Sequence, residues 1–475
     1  MVCAFFGVAI PVIGTKFSLI LLSGFIGCTA LFISSEVILL ALLVLALCVV
    51  GPLNYFGIVN LHWIPYIVGL LLYLKLILER FGRAEANEQI RSNALSSLQW
   101  AILTFFAILA MSTAFSPPGA HLLLLSSRNY FFMWSVFLLL ARGKVKPDFF
   151  RNACTLMLWI ALLQFPFAVY QNIFIAKNRT DNASWDAVVG TFPGLKDWGG
   201  DSGGMAIFLL SAFAIALCLW HRKVVPGLLV ALFAATTIGT ILAAEVKIVY
   251  VLIPIIFVAI YRTALFRNAL LTLTGVVFIT ILFATISLTY DAETKVSTQG
   301  PKESISEKIY EIFKYSTTTD AYLGHGAIGR STALAIWWMG NDFSDPKMYI
   351  GHGIASSAIS QRPGEKGGAI GERYFPLEID VSTAAVLLWE TGIFGFLAFC
   401  SILIVAGIEA RHLSYERSLP PTSAAILDAS PAILAMYLIT LFYHKNAIGS
   451  SESGQFLLLF FLGHIAYWSR RLRAP

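Results

Sequence analysis

The chain has 475 residues, 57% of them apolar and 13% charged, with a formal charge of +6. So much apolar surface excludes a soluble globular domain. Repeated apolar runs of about 20 residues match the bilayer core, whereas a membrane β-barrel would alternate polarity in segments of about 10 residues. The positive balance is absorbed by the topology signals below and gives no reason to invoke nucleic acid as a partner.

In chain order, membrane spans are predicted over residues 17–34, 37–57, 62–79, 96–114, 121–141, 152–173, 203–220, 225–243, 248–261, 268–288, 381–408, 426–445 and 454–469. The start, residues 1–16, lacks a basic head and a clear cleavage site, so residues 2–15 read as one more span rather than a removed signal. The expected fold is therefore an all-α polytopic membrane protein with about 12–14 transmembrane helices. Basic residues fall on alternate connections: Arg80/Arg83/Arg91, Arg142/Lys144/Lys146/Arg151, Arg222/Lys223, Arg262/Arg267, Arg411/Arg417 and Arg470/Arg471/Arg473. The positive-inside rule assigns these to the cytoplasm, and residues 115–120, 174–202, 244–248, 289–380 and 446–453 to the opposite side. All six cysteines lie in apolar segments, so there is neither a disulfide framework nor a cysteine metal site to expect.

The organisation expected is an N-terminal transmembrane bundle (1–288), one large extracytoplasmic loop (289–380), and three C-terminal helices with a cytoplasmic tail (381–475). The loop carries nine Lys/Arg and twelve Asp/Glu, and a loop of that size in a compact chain has a function or is disordered. Within it, Ser304 to Glu307 reads as a capping box opening an amphipathic helix. Ser331 to Met339, with Trp337-Trp338, reads as a helix in the headgroup layer. Gly351, Gly353 and the Pro363–Gly368 run read as turns.

Several residues are candidates for chemistry. Arg128, about a third of the way into a span, either holds a diphosphate or snorkels to the nearby surface. Lys247, in the turn after Glu245, would meet a lipid diphosphate at headgroup depth. Arg330 opens a helix ahead of the Gly351-His352-Gly353 turn, a combination suited to an anion. His352 is a candidate general base, or simply a turn residue. Arg373, Tyr374, Glu378 and Asp380 close the loop. Asp380 serves equally as a base toward a sugar hydroxyl or as the cap of the next helix. Trp337 and Tyr374 would stack on sugar rings, and His444 and Lys445 read as headgroup anchors. No P-loop, HExxH, zinc spacing, nucleophile elbow or Asp-x-Asp pair is present.

Four elements resemble the O-antigen ligase and O-antigen polymerase (Wzy-type) superfamily. They are Gly190-Thr-Phe-Pro-Gly194, the short-turn cation at Lys247, the run Gly329-Arg330…Trp338…Gly351-His352-Gly353, and Leu388-Trp-Glu390-Thr-Gly392-Ile-Phe-Gly395 ahead of three terminal helices. The resemblance covers roughly residues 185–470. It implies a C-type glycosyltransferase-like fold in the bacterial inner membrane, an undecaprenyl-diphosphate-linked glycan as donor, and no metal or other cofactor. It also implies partners among membrane lipids, a chain-length regulator and a flippase. Arg330 matches the family's loop arginine. The family's His-Asn pair ahead of the Glu-x-Gly element is absent, its place taken by Val381-Ser382, so either Asp380 or His352 acts as base or the chemistry differs. The expectation is a polymerase of O-antigen or exopolysaccharide, with Asp380, His352 and Arg330 catalytic and Arg128, Lys247, Arg373, Trp337 and Tyr374 binding substrate. The alternatives are an O-antigen ligase acting on lipid A-core and a polysaccharide-lipid flippase.

Overall fold

The computed structural model describes residues 31–58, 63–81, 96–176, 187–196, 199–267, 328–359, 366–445, 447–449 and 451–473. The predicted spans 2–15 and 268–288, the predicted helix at Ser304 and nearly all of 17–34 lie outside these residues. Fourteen helices are described: α1 Ser35–Tyr55, α2 Ile64–Phe81, α3 Ser97–Phe115, α4 Ala120–Ala141, α5 Pro147–Phe174, α6 Ser202–His221, α7 Gly227–Ala243, α8 Val249–Arg267, α9 Arg330–Gly340, α10 Pro346–Ile350, α11 Ala369–Tyr374, α12 Thr383–Ser414, α13 Pro421–Thr440 and α14 Glu452–Arg473. Among the described residues, α1, α3, α4, α5, α6, α12 and α13 are long and apolar enough to cross a membrane, and α7 and α8 contain shorter apolar stretches. The chain is an all-α, multi-pass membrane protein. A two-stranded ribbon, Gly194–Leu195 against Gly199–Gly200, is the sheet seen among the described residues.

The packing runs from the C-terminal helices outward. α12 packs on α13 and α3, α14 on the second half of α4, and α6 on α13. α6 is buried along almost its whole length, and α14 is buried from Glu452 to Ser469. A helix enclosed by protein rather than lipid tolerates polar side chains, which is why α14 accommodates Glu452, Gln455 and His464. By contrast α12 leaves Phe394, Leu397, Ile404 and Ile408 exposed along one stripe, as a lipid-facing helix does.

Contacts between connections sort into two ends. At one, Arg222 pairs with Asp428 at 2.6 Å and donates to the Ser414 carbonyl at 2.8 Å, Arg470 donates to the Arg142 carbonyl at 3.1 Å, and Lys144 pairs with Glu79 at 3.8 Å. This basic end gathers the connections predicted to share a side. At the other, Tyr55 donates to the Ala187 carbonyl, Asn172 to the Ala243 carbonyl, and Asp201 pairs with His444.

Among the described residues, two helices contain π-turns, Leu45–Val49 in α1 and Arg128–Phe132 in α4. A π-turn lifts carbonyls out of the helical ladder, and such turns concentrate at functional sites. Here the carbonyls are taken by side chains from elsewhere. Ser453 donates to the Ala46 carbonyl and Thr191 to the Leu47 carbonyl; Gln455 donates to that of Asn129 and Tyr73 to that of Phe131. Thr191 belongs to the Gly190–Gly194 segment, which dips between helices rather than lying on the surface. Gln164 and Gln171 of α5 accept from the Thr191, Val189 and Gly190 backbone N–H groups at 2.7–2.9 Å.

Candidate functional site

The decisive residue is Gly392. Its backbone, at φ 65° and ψ −170°, breaks α12 at its tenth residue. A break strips hydrogen-bond partners from the carbonyls just before it, and buried carbonyls must find others. The loop supplies them. The Trp337 indole donates to the Leu388 carbonyl at 3.0 Å, the His352 N–H to that of Trp389 at 2.8 Å and the Gly353 N–H to that of Glu390 at 3.1 Å. Ser112 of α3 donates to the same Glu390 carbonyl at 2.6 Å and accepts from Gly353 N–H at 2.9 Å. The approach leaves no room for side chains: a Cβ on Gly351 would lie 2.4 Å from the Glu390 oxygen, and one on Gly353 2.3 Å from the Ser116 oxygen. Both glycines also hold positive φ. The Gly-His-Gly sequence is thus a plug shaped for the gap in α12.

Beside the plug lies Glu390, a carboxylate 3% exposed inside the bundle. Tyr130, in the α4 π-turn, donates to one of its oxygens at 2.8 Å and Ser357 to the other at 2.8 Å. The two bonds tie helix, π-turn and loop together. Glu390 did not stand out among the sequence candidates. Its signal was available as an acid in an otherwise apolar span.

Residues 443–445 form a second hub. Arg330 donates through Nε to the Tyr443 carbonyl at 2.5 Å and lies 3.9 Å above the Tyr443 ring. Lys445 pairs with Asp380 at 2.7 Å. His444 lies between them, with Nε2 3.4 Å from Asp201, the N-cap of α6, which also accepts from Ser451 at 2.6 Å. The His444 carbonyl accepts from Thr383 N–H and Oγ1 at 3.1 and 2.8 Å, anchoring the start of α12.

The structure therefore attaches Arg330 and Asp380 to the same short segment, through Tyr443 and Lys445 respectively, and gathers His352, Trp337 and Tyr374 around Trp389. The His352 and Tyr374 rings lie 5.7 and 5.5 Å from the Trp389 ring. Arg373 is exposed, 5.4 Å from the Tyr374 ring. Lys247 is exposed in the turn between α7 and α8, on helices that pack against α6 and α13 rather than α12. Arg128 lies 4.5 and 5.1 Å from the Trp63 and Tyr66 rings, within electrostatic reach of the buried Glu452.

Three expectations are corrected. Trp337 is 5% exposed, with its indole N–H committed to the broken helix, so it cannot offer a ring face to a sugar; Trp338, 54% exposed, turns outward instead. Asp380 does not cap α12: Ser382 does, accepting from Ala385 N–H at 3.2 Å. His444 lies 3.4 Å from Asp201 and Lys445 is ion-paired with Asp380, so both are engaged within the protein rather than serving as headgroup anchors.

His352 combines partial exposure with a defined orientation. Its Nε2 lies 3.1 Å from Asn341 Oδ1, an acceptor, which places the proton on Nε2 and leaves the lone pair on Nδ1. Burial lowers its pKa below the usual 6.5, and Lys347 and Arg373 act in the same sense against Asp345. The imidazole is therefore neutral at pH 7 and competent to accept a proton. Among the described residues no group of three or more His, Cys, Asp and Glu is arranged to hold a metal. No model of a known protein family matches this chain, and no curated protein matches it either.

Proposed function

We propose that this protein is a membrane glycosyltransferase that polymerises a bacterial surface polysaccharide. It would join undecaprenyl-diphosphate-linked repeat units at the periplasmic face of the inner membrane. The observation that carries the reading is the broken α12. Irregular backbone within a membrane bundle persists where it is buried or lines a polar cavity, and here the break is plugged by the segment bearing His352, on the helix whose start is anchored by the 443–445 segment that also holds Arg330 and Asp380. An arginine, a neutral imidazole and a carboxylate at one end of the bundle form a site suited to displacing a diphosphate by a hydroxyl.

In that reaction the acceptor hydroxyl attacks the anomeric carbon, its proton passes to a base, and the bond to the diphosphate breaks with its electron pair. Arg330 stabilises the departing charge, a contribution worth about 10²–10³ in rate for a single well-placed donor. His352 is the stronger candidate for the base, because its lone pair is available at Nδ1 whereas Asp380 is held by Lys445. Asp380 then fixes Lys445 and, through the 443–445 backbone, the Arg330 guanidinium. Tyr374 and Trp338 supply aromatic surface to the glycan, and the remaining candidate cations Arg128, Lys247 and Arg373 supply positive potential around the diphosphate.

The test uses purified protein in nanodiscs with a synthetic undecaprenyl-diphosphate repeat unit. A ladder of longer lipid-linked glycans is expected from the wild type and should be lost in Arg330→Ala and His352→Asn. Transfer only when lipid A-core is added would make the protein a ligase. No product with either acceptor would sink the glycosyltransferase reading and favour the flippase.

A further inference from the structure

The start of α14 buries polar groups that the proposed transfer chemistry does not use. Glu452, the first residue of α14, is 0% exposed, and neither of its carboxyl oxygens has a hydrogen-bond partner among the described residues. Three residues on, Gln455 donates through Nε2 to the Asn129 and Gly449 carbonyls at 2.9 and 3.2 Å. Those two bonds fix the orientation of its amide and leave Oε1 buried, also without a donor among the described residues. Positions i and i+3 are neighbours on a helix, so one buried face carries three acceptor oxygens that nothing described donates to. A buried charge left unpaired in this way neutralises instead. One proton on Glu452 removes the charge and turns an acceptor into the donor that Gln455 lacks.

The neighbouring acid shows the contrast. Asp201 accepts from Gly204 N–H at 2.7 Å and from Ser451 Oγ at 2.6 Å, with His444 Nε2 3.4 Å away. A carboxylate so furnished, within electrostatic reach of Glu452, opposes a second negative charge beside it. The N-terminus of α14 does not compensate. No N–H of its first turn reaches the Glu452 carboxyl, and that of Gly454 is taken by Ser451 Oγ at 3.1 Å. Arg128 does not bond to it either. Its Nε donates to Asn129 Oδ1 at 3.2 Å, its guanidinium lies against the Trp63 and Tyr66 rings, and no described residue accepts from its terminal nitrogens.

The elements packed against the first turn of α14 bring few other titratable groups to it. They are Tyr66 of α2, Arg128 of α4, Asp201 at the start of α6 and Tyr437 of α13, which donates to the Gly454 carbonyl at 2.8 Å, with Cys48 in the α1 π-turn. α12 meets α14 through Glu409 and Ser469, at its opposite end. We propose that Glu452 binds a proton and stands as a neutral carboxylic acid that donates to Gln455 Oε1. Arg128, with no counter-charge to satisfy, then keeps its terminal N–H groups for a diphosphate anion. This second half rests on the glycosyl-transfer reading, in which the anion belongs to the lipid carrier; the proton site does not.

The test is infrared difference spectroscopy of the full chain in nanodiscs at pH 7, wild type minus Glu452→Gln. A C=O band of a protonated carboxyl is expected in the difference, and its absence would overturn the assignment. Should Glu452→Gln not fold, Glu452→Asp serves in its place; the band should then be displaced, and a spectrum identical to wild type would overturn the assignment. Calorimetric titration with inorganic diphosphate at the same pH reads Arg128. Affinity should agree within about twofold between wild type and Glu452→Gln, because the amide copies the neutral acid, and should be about tenfold weaker in Arg128→Gln. Tighter binding by Glu452→Gln would mean that an ionised Glu452 screens Arg128, and unchanged binding by Arg128→Gln would remove the anion role; either result overturns the proposal. A Glu452 band in a protein that makes no glycan ladder would support the proton site while the transfer reading fails.

Discussion

At the scale of single residues, buried hydrogen bonds decide what each side chain does. Glu390 receives hydroxyl donors on both oxygens, so Glu390→Ala would strand two buried hydroxyls and leave a void. A loss of about 3–5 kcal/mol is expected, read as a lowered unfolding midpoint in detergent, with Glu390→Gln losing markedly less. Trp337→Phe tests the corrected role of Trp337. It keeps the ring and removes only the donor to Leu388, so it should cost about 1–3 kcal/mol of stability without changing glycan affinity. A stability-neutral variant that binds glycan more weakly would restore the stacking role. His352 adds a pH signature. Its pKa is lowered in the folded state, so as pH falls the unfolded chain takes up this proton first. Its contribution to stability is whole above about pH 6.5 and is lost as pH falls toward the folded value. Activity should follow an acid limb lying below 6.5, and His352→Asn should remove that limb together with about 10²–10⁴ of rate.

At the scale of elements, breaks in helices carry more information than the helices themselves. Gly392 interrupts α12, and a Cβ there would lie 2.4 Å from the Tyr349 carbonyl carbon, in a backbone region that L-residues resist. Gly392→Ala should therefore destabilise the fold by about 1–3 kcal/mol and unseat the loop plug before the bundle unfolds. Limited proteolysis should detect this as early cleavage within residues 351–380. The two π-turns have a matching logic, since each exposes carbonyls that a distant side chain captures. Thr191→Val tests it: the variant removes the donor to Leu47 and should cost about 1–3 kcal/mol, because the carbonyl has no water to turn to. No change in melting would mean that the dipping Gly190–Gly194 segment is held by its glutamine contacts alone.

At the scale of the whole molecule, the transmembrane class and most of the described spans were legible in the amino-acid sequence. α3, α4, α6 and α7 begin and end within two residues of the predicted spans, because bilayer thickness and apolar runs leave little choice. The sorting of connections to two ends followed from the alternation of basic residues, and His352 with its flanking glycines could be singled out as a turn because glycine signals backbone freedom directly. The partners of these residues were not legible. The Trp337–Leu388 bond closes 51 positions of sequence, Tyr130–Glu390 closes 260 and Ser453–Ala46 closes 407. Nothing local encodes such pairings, because each exists to satisfy a polar group that only packing has removed from water. Trp337 and Trp338 show the limit most clearly: two adjacent, chemically identical residues, one buried and one exposed. Composition and periodicity determined that the chain crosses a membrane and where it does so, since the solvent imposes that along the chain. Which polar side chains are committed to holding the broken helix, and which face outward, was decided by the tertiary structure, since burial is a property of neighbours.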